Sequence, residues 1–499
     1  MRDRQHRARL SARLRRDRGR ARSGPRHLRR ADRLDRRGHA RRARRRRPAG
    51  HLDDIDRRAH HHRSQPQHAA RGACGRGRPR PGARGSRALV RVRAFHGHRY
   101  AIDRERDLGK VVAPPYDQIS PEQQDLLYAM SPANIVRISY PRDEAEGGAD
   151  KYARARATLD AWLAEGLWAR EAAPAVYPYH QTYRVDGREV TRVGLVALGQ
   201  VTDYARGEVL PHERTHAGPK QDRMRLLEAT GADTGLLFML VADPSGALLA
   251  ASTPGGEPIA EARDLKGERH RLWRVTDPTT IARVQASLGG ARVIIADGHH
   301  RYETAVEYAR RHPGADDKLM AFFSLDGPGL TIFPNHRLVH DVEHFSLARL
   351  SDAARRWFDV APLADPLACR PTNRSLGVVT EQGAVSLTLR PEAFDTLPWP
   401  AGTSRAWREL AVSILHEGVL KPLCDITDTK LDAKTHVDYT ADQAEAVRLA
   451  RTGHYQAAFL IAPTTVDELQ AVVRGGEVLP QKSTHFYPKL LDGLVFSRI

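Results

Sequence analysis

The sequence predicts a mixed α/β fold, and three observations carry that prediction. Short apolar runs alternate with segments of helical period through most of the 499 residues. One such run, Val293-Ile294-Ile295-Ala296, passes into a helical pattern through Asp297-Gly298-His299-His300-Arg301. Residues 1–90 have a composition that builds no core, so the fold belongs to residues 91–499, a length that suits two or three subdomains.

Charge separates the same two parts. The chain carries 80 basic and 60 acidic residues, a formal net charge of +20. Residues 1–90 hold 31 Arg and 7 Asp, with no Lys, Glu, Phe, Tyr or Trp. The remainder has 49 basic and 53 acidic residues, a net of −4, so the folded part gives no electrostatic reason to bind nucleic acid. The Arg-rich stretch cannot offset its ordering entropy by burial and is expected to be disordered. It reads either as a basic arm that contacts phosphates or as the product of a mis-assigned upstream start, with translation beginning near Val90 or Val92. The second is expected, because basic arms ordinarily mix Lys with Arg. No run approaches the roughly 18 apolar residues that span a bilayer, and the Arg-rich start lacks the apolar centre of a secretory signal. Cys74, Cys369 and Cys424 form no CxxC pair, which fits a reducing compartment. A cytoplasmic bacterial protein is the expectation.

In chain order, Ser120-Pro121-Glu122-Gln123 starts a helix, with Ser120 as N-cap, Pro121 in the first turn and Gln123 closing a capping box. Tyr152, Ala155, Leu159, Trp162 and Leu163 recur at helical spacing before Gly166. Strands over 177–185 and 188–198 flank Asp186-Gly187, a type I′ hairpin pair. A helix is predicted over 221–229, buried strands over 235–242 and 292–296, and a helix over 302–311. Strands near 376–380 and 385–389 and helices near 408–417 and 441–451 complete the pattern.

The turn after Ala296 carries the clearest chemistry. A helix that opens straight from a buried strand presents free N–H groups, and its dipole attracts anions. Gly298 allows close backbone approach, His299 and His300 follow, and Arg301 offers a planar fork for phosphate or carboxylate. Asp297, at the strand end, suits Mg²⁺ or a helix cap.

Leu210 to His216 contains a formal HExxH at His212-Glu213-Arg214-Thr215-His216. Pro211 before it and Ala217-Gly218-Pro219 after it leave no room for the helix that a zinc peptidase needs, so zinc is not expected and a metal-dependent hydrolase is the weakest reading. Lys220, Asp222 and Arg223 fall in the first turn of the next helix, where cations would neutralise phosphate and Glu213 or Asp222 would accept a hydroxyl proton. Pro114-Pro115-Tyr116-Asp117 is a rigid loop ahead of the capped helix, and Lys482-Ser483-Thr484 sets hydroxyls beside a lysine near the carboxyl end. Asn335-His336-Arg337 and His416-Glu417 are weaker candidates, the latter a core histidine on an apolar helix.

These segments, with Val112-Ala113 and His485-Phe486-Tyr487-Pro488-Lys489, resemble domain-of-unknown-function family 1015, from about Val92 to Ile499. The resemblance implies no activity, but His212, Glu213 and Thr215 match its pattern and His216 does not. The strand–turn–helix around Gly298 also resembles the nucleotide-binding core of the ParB/sulfiredoxin superfamily, which includes free-serine kinases. That likeness implies that Gly298, His299, His300 and Arg301 contact a nucleotide.

The leading expectation is therefore a nucleotide-binding enzyme that uses ATP or ADP with Mg²⁺ to phosphorylate a small hydroxylated metabolite such as serine. Gly298, His299, His300, Arg301, Lys220, Arg223, Lys482, Ser483 and Thr484 would hold phosphate. Glu213, Asp222 and His300 would be catalytic; Tyr116, Asp117, His212 and Thr215 would face the substrate. Asp297, or Asp117, would hold Mg²⁺. The alternative is a ParB-like nucleotide-binding regulator without turnover.

Overall fold

The computed structural model describes residues 90–101, 107–143, 150–215 and 217–499. All lie in one compact unit, Ala83–Ile499. The expectations for the Arg-rich stretch fall outside the described residues.

The molecule is a mixed α/β protein built on two larger sheets. The first has nine strands among the described residues. Its order is Val209–Leu210, Val293–Asp297, Leu237–Val241, Asp317–Ser324, Arg188–Gln200, Tyr177–Val185, Arg269–Leu272 and Ala260–Arg263, with Val92–Arg93 on Arg188–Gln200. Its middle is an apolar run because it is covered on both faces: Leu237–Val241 is buried at every position. Val293–Asp297 runs parallel to Val209–Leu210 and antiparallel to Leu237–Val241. The hairpin at Asp186-Gly187 closes as expected, with positive φ at both residues (49° and 78°).

The second sheet is wholly antiparallel: Phe358–Pro362, Ala384–Leu389, Ser375–Val379, Ala457–Leu460, His336–Val339 and Val437–Thr440. One apolar core runs through both, joining Phe238 and Phe323 of the first to Phe459 and Leu415 beside the second. The chain end ties them together. His485–Tyr487 pairs with Thr331–Phe333, Asp492 bridges Ala113, Phe496 bridges His98, and Ser497–Arg498 pairs with Ala232–Asp233.

Most helix starts obey the capping rule. Ser120 closes a capping box with Gln123, Thr465 does so with Glu468, and Asp150, Asp277, Ser346 and Asp442 each accept an N–H from the first turn. Three predicted helices differ in extent. The helix expected from 302 begins at His299, and that expected over 221–229 spans Ala217–Thr230. The segment 408–417 divides into Arg405–Arg408 and Ala411–Leu415, because Leu410 is extended (ψ 135°), and then continues as a π turn, His416–Leu420. Among the described residues no helix is long and apolar enough to cross a membrane.

Candidate functional site

The buried strand Val293–Asp297 delivers the chain to a turn that only glycine fits. Gly298 has φ 99°, and a Cβ there would lie 2.7 Å from Leu237 Cδ2 and 3.1 Å from Arg301 Nε and Nη2. Gly298 is the N-cap of His299–Arg311, and no side chain caps that helix. Its N-cap therefore offers no side-chain acceptor to the first turn.

Beneath the turn lies a buried ion-pair chain. Asp297 Oδ2 accepts from Arg301 Nη2 at 2.9 Å, and Oδ1 from Lys489 Nζ at 2.7 Å. Burial works to raise the Asp297 carboxyl, but Lys489 and then Arg301 hold it far below the usual carboxylate range. Arg301 Nη1 donates to the Leu236 carbonyl at 2.6 Å. Two expectations change here. Asp297 does not fit as a Mg²⁺ ligand, because each oxygen already serves a cation, and Arg301 is no free fork, because both terminal nitrogens are engaged. The pair braces the turn instead.

The adjoining loop is stitched to the chain end through histidines. His212 is buried; its Nδ1–H donates to the Ile295 carbonyl at 2.6 Å, so Nε2 accepts from the Thr484 hydroxyl at 2.8 Å. His299 Nε2 accepts the His212 amide at 3.2 Å. Burial, then the neighbouring His212, pushes the His299 imidazolium down to about 3, so both rings are neutral at pH 7. His299 Nε2 and His212 Nδ1 are thus engaged by backbone groups, and His212 Nε2 by Thr484. The residues from Pro211 to Thr215 are not helical, and the helix starts at Ala217, so the HExxH spacing does not sit on a helix face here.

Glu213 accepts the Lys482 amide at 3.0 Å, and Asn335 Nδ2 clamps the same loop through the Lys482 and Thr484 carbonyls at 3.1 and 3.0 Å. Lys482 takes a positive φ of 57°, which the clamp holds. Burial would raise Glu213, yet Lys482 and the lesser contributions of its other neighbours together hold the carboxyl below its ordinary value.

These parts surround a cleft of about 440 Å³. Tyr116, Asp117, Glu213, Asp297, Gly298, His299, His300, Arg301, Lys482 and Thr484 of the sequence-predicted set line it. Others lie elsewhere. Lys220 pairs with Glu303 at 2.8 Å, and the Thr215 hydroxyl donates to the same carboxylate at 2.7 Å. Lys220 and Glu303 border a separate groove of about 790 Å³ between Ala217–Thr230 and His299–Arg311. Asp222 pairs with Arg223 and, at 3.0 Å, with Lys151; burial raises it, but Arg223 and the other donors hold it at about 2. Arg223 stacks on the Tyr116 ring, 4.0 Å from its centroid. Ser483 is buried, its hydroxyl donating to the Pro480 carbonyl at 2.5 Å.

Lys489, His485, Arg214 and Lys434, to which sequence reasoning gave no role, also line the cleft, as does Asn335, a weaker candidate. That reasoning also missed part of the support beneath them. Buried Arg192 donates to the carbonyls of Tyr487 and Pro488 and to Gln181 Oε1, and Gln181 Nε2 holds the Lys489 carbonyl at 2.9 Å. Arg337, also buried, binds the Asn335 carbonyl, the Gln481 carbonyl at 3.3 Å and His416 Nε2 at 3.2 Å. The QKSTHFYPK motif and the weaker candidates Asn335-His336-Arg337 and His416-Glu417 signalled this region, whereas nothing signalled Arg192 or Gln181.

The fold and cleft define a mixed α/β protein with an uncapped helix start set among lysines. The chain belongs to the family described as protein of unknown function (DUF1015), which its residues 92–413 match. That span stops short of Lys482 and Lys489. No curated protein matches the chain. Similar solved structures include a conserved hypothetical protein from Pyrococcus furiosus, at 13% identity and TM-score 0.31, covering 57% of this chain and 90% of that one. A free serine kinase in complex with AMP has 13% identity and TM-score 0.32, over 58% and 89%. SbnI with C-terminal truncation from Staphylococcus aureus has 11% identity and TM-score 0.32, over 60% and 85%.

Proposed function

We propose that the protein seats nucleotide phosphates on the head of helix His299–Arg311 and transfers a phosphoryl group to a small hydroxylated metabolite such as serine. One observation carries the reading: a single cleft brings the uncapped helix start, Lys482, Lys489 and ionised Glu213 together. The dipole of a helix whose N-cap has no side chain attracts phosphate, and Lys482 and Lys434 add donors around it. Glu213, fixed by the Lys482 amide, accepts the proton of the acceptor hydroxyl. The acceptor oxygen bonds to the terminal phosphorus of ATP or ADP, the bridging P–O bond breaks, and the shortened nucleotide leaves with the electron pair. Positioning and charge neutralisation do the work, as this chemistry requires. Mg²⁺ needs only one or two carboxylates beside phosphate oxygens, and Asp117 fits that role where Asp297 does not; the ion would supply neutralisation of phosphate charge.

The test is phosphorus NMR of the full chain with ATP or ADP, Mg²⁺ and L-serine, beside calorimetry with AMP. Turnover that Glu213→Gln abolishes, with AMP binding kept, is the expected result; no nucleotide binding at all would sink the reading. A second reading, a regulator that binds nucleotide without turnover, is favoured by the position of Asp222 outside the cleft, which leaves one base candidate. Tight AMP binding with no product from any acceptor would select it.

A further inference from the structure

The helix head and the lysines account for phosphates, but phosphates alone do not fill the cleft. Its volume of about 440 Å³ is in the range of whole-ligand pockets, roughly 300–1,000 Å³, so the rest of a nucleotide has space beside them. A base is a flat ring system, and proteins that hold bases without reading their edges stack them on aromatic side chains. Among the described residues that line the cleft, only Tyr116 and Tyr439 carry a large aromatic ring.

Tyr116 is already engaged. The Arg223 guanidinium lies 4.0 Å from its ring centroid, and the Tyr140 ring lies 6.2 Å away at a tilt of 50°. Tyr116 also lines a separate space of about 60 Å³ that Asp492 borders.

Tyr439 is different. It sits in Val437–Thr440, the edge strand of the second sheet, directly across from Arg337. Cross-strand partners share a face of the sheet, and the guanidinium of buried Arg337 lies over the Tyr439 ring, 5.4 Å from its centroid. No other ring or cation stacks on Tyr439 among the described residues. The residue is half-buried, and its hydroxyl oxygen is enclosed, so the side chain meets the cleft with ring carbons rather than with its polar tip. The same segment adds a cation: Lys434 lines the cleft, and Asp438, Thr440 and Ala441 continue the wall. One stretch of the second sheet thus offers a positive charge suited to phosphate and, beyond it, a ring suited to a base. That stretch lies past residue 413, where the family match ends.

We propose that Tyr439 is the platform on which the nucleotide's base stacks, backed on its other face by Arg337, so that this segment makes the cleft prefer nucleotides over bare sugar phosphates. The assignment rests on the nucleotide reading above and adds the seat of the base to it. Stacking uses the π face alone, so Tyr439 selects a heteroaromatic ring and not one particular base.

Calorimetry of the full chain with AMP, ribose-5-phosphate and pyrophosphate separates the two claims. AMP is expected to bind at least about tenfold more tightly than ribose-5-phosphate, which lacks the base. Tyr439→Leu should lower AMP affinity about tenfold and Tyr439→Phe should keep it within about twofold, and both should leave ribose-5-phosphate affinity within about twofold. Photolabelling of the unaltered chain with an azido-purine analogue of AMP, mapped by mass spectrometry, needs no variant to fold and should place the label between Lys434 and Ala441. AMP held no more tightly than ribose-5-phosphate, undiminished AMP binding by folded Tyr439→Leu, or label confined to other segments would overturn the assignment and leave the phosphate seat standing. Failure of AMP and pyrophosphate alike to bind would strike the nucleotide reading and this assignment with it.

Discussion

Two helix starts, one at each end of the described chain's second half, show what the site is made of. Val466–Arg474 opens with a reciprocal box in which Thr465 and Glu468 satisfy each other's backbone. His299–Arg311 opens on Gly298 with no side chain at all. The other described helices of eight residues or more with a described N-cap also carry a side-chain cap, reciprocal only at Ser120. The first kind of start is finished within its own sequence. The second is propped from below, by Asp297, Arg301 and Lys489, with no side chain on its N-cap. An end that is braced but has no side-chain cap is where the proposed phosphate seat stands or falls.

Three substitutions break or sharpen this contrast. Asp297→Ala removes the brace, leaving buried Arg301 and half-buried Lys489 without their carboxylate, so about 3 kcal/mol of stability should be lost in denaturant melts. A loss below 1 kcal/mol would mean that the ion-pair chain does not support the turn. Gly298→Ala forces a side chain into φ 99° against Leu237, for a cost of roughly 2 kcal/mol. It should also weaken AMP binding about tenfold in calorimetry, because the amides no longer keep their directions. Unchanged AMP affinity would remove the helix head from the site. The smallest effect belongs to the capped helix: Thr465→Ala should cost about 1 kcal/mol and leave AMP affinity untouched. If it altered AMP binding, the two starts would not be functionally distinct.

The sequence made local devices legible and non-local ones illegible. The Ser120 box, the Asp186-Gly187 hairpin and the strand feeding Gly298 are each written within a few adjacent residues, and each forms as expected. Lys220, Asp222 and Arg223 looked like one cluster because they are neighbours in the chain. Residues two apart on a helix do not share a face, and Lys220 goes to Glu303 while Asp222 goes to Lys151. Glu213 and Lys482 meet across 269 residues, a distance no periodicity encodes. Arg192 was invisible for another reason: on a two-residue alternation a strand arginine reads as solvent-facing, but here it lies wholly inside, over the rings of Phe238 and Phe323.

The last twenty residues supply Lys482, Thr484, Lys489 and Asp492, and they pair with segments as early as Ala113 and His98. Synthesis therefore imposes an order on competence. A ribosome must release nearly the whole polypeptide before either hollow acquires these linings, so a prematurely stopped chain lacks them however much of its sheet has formed.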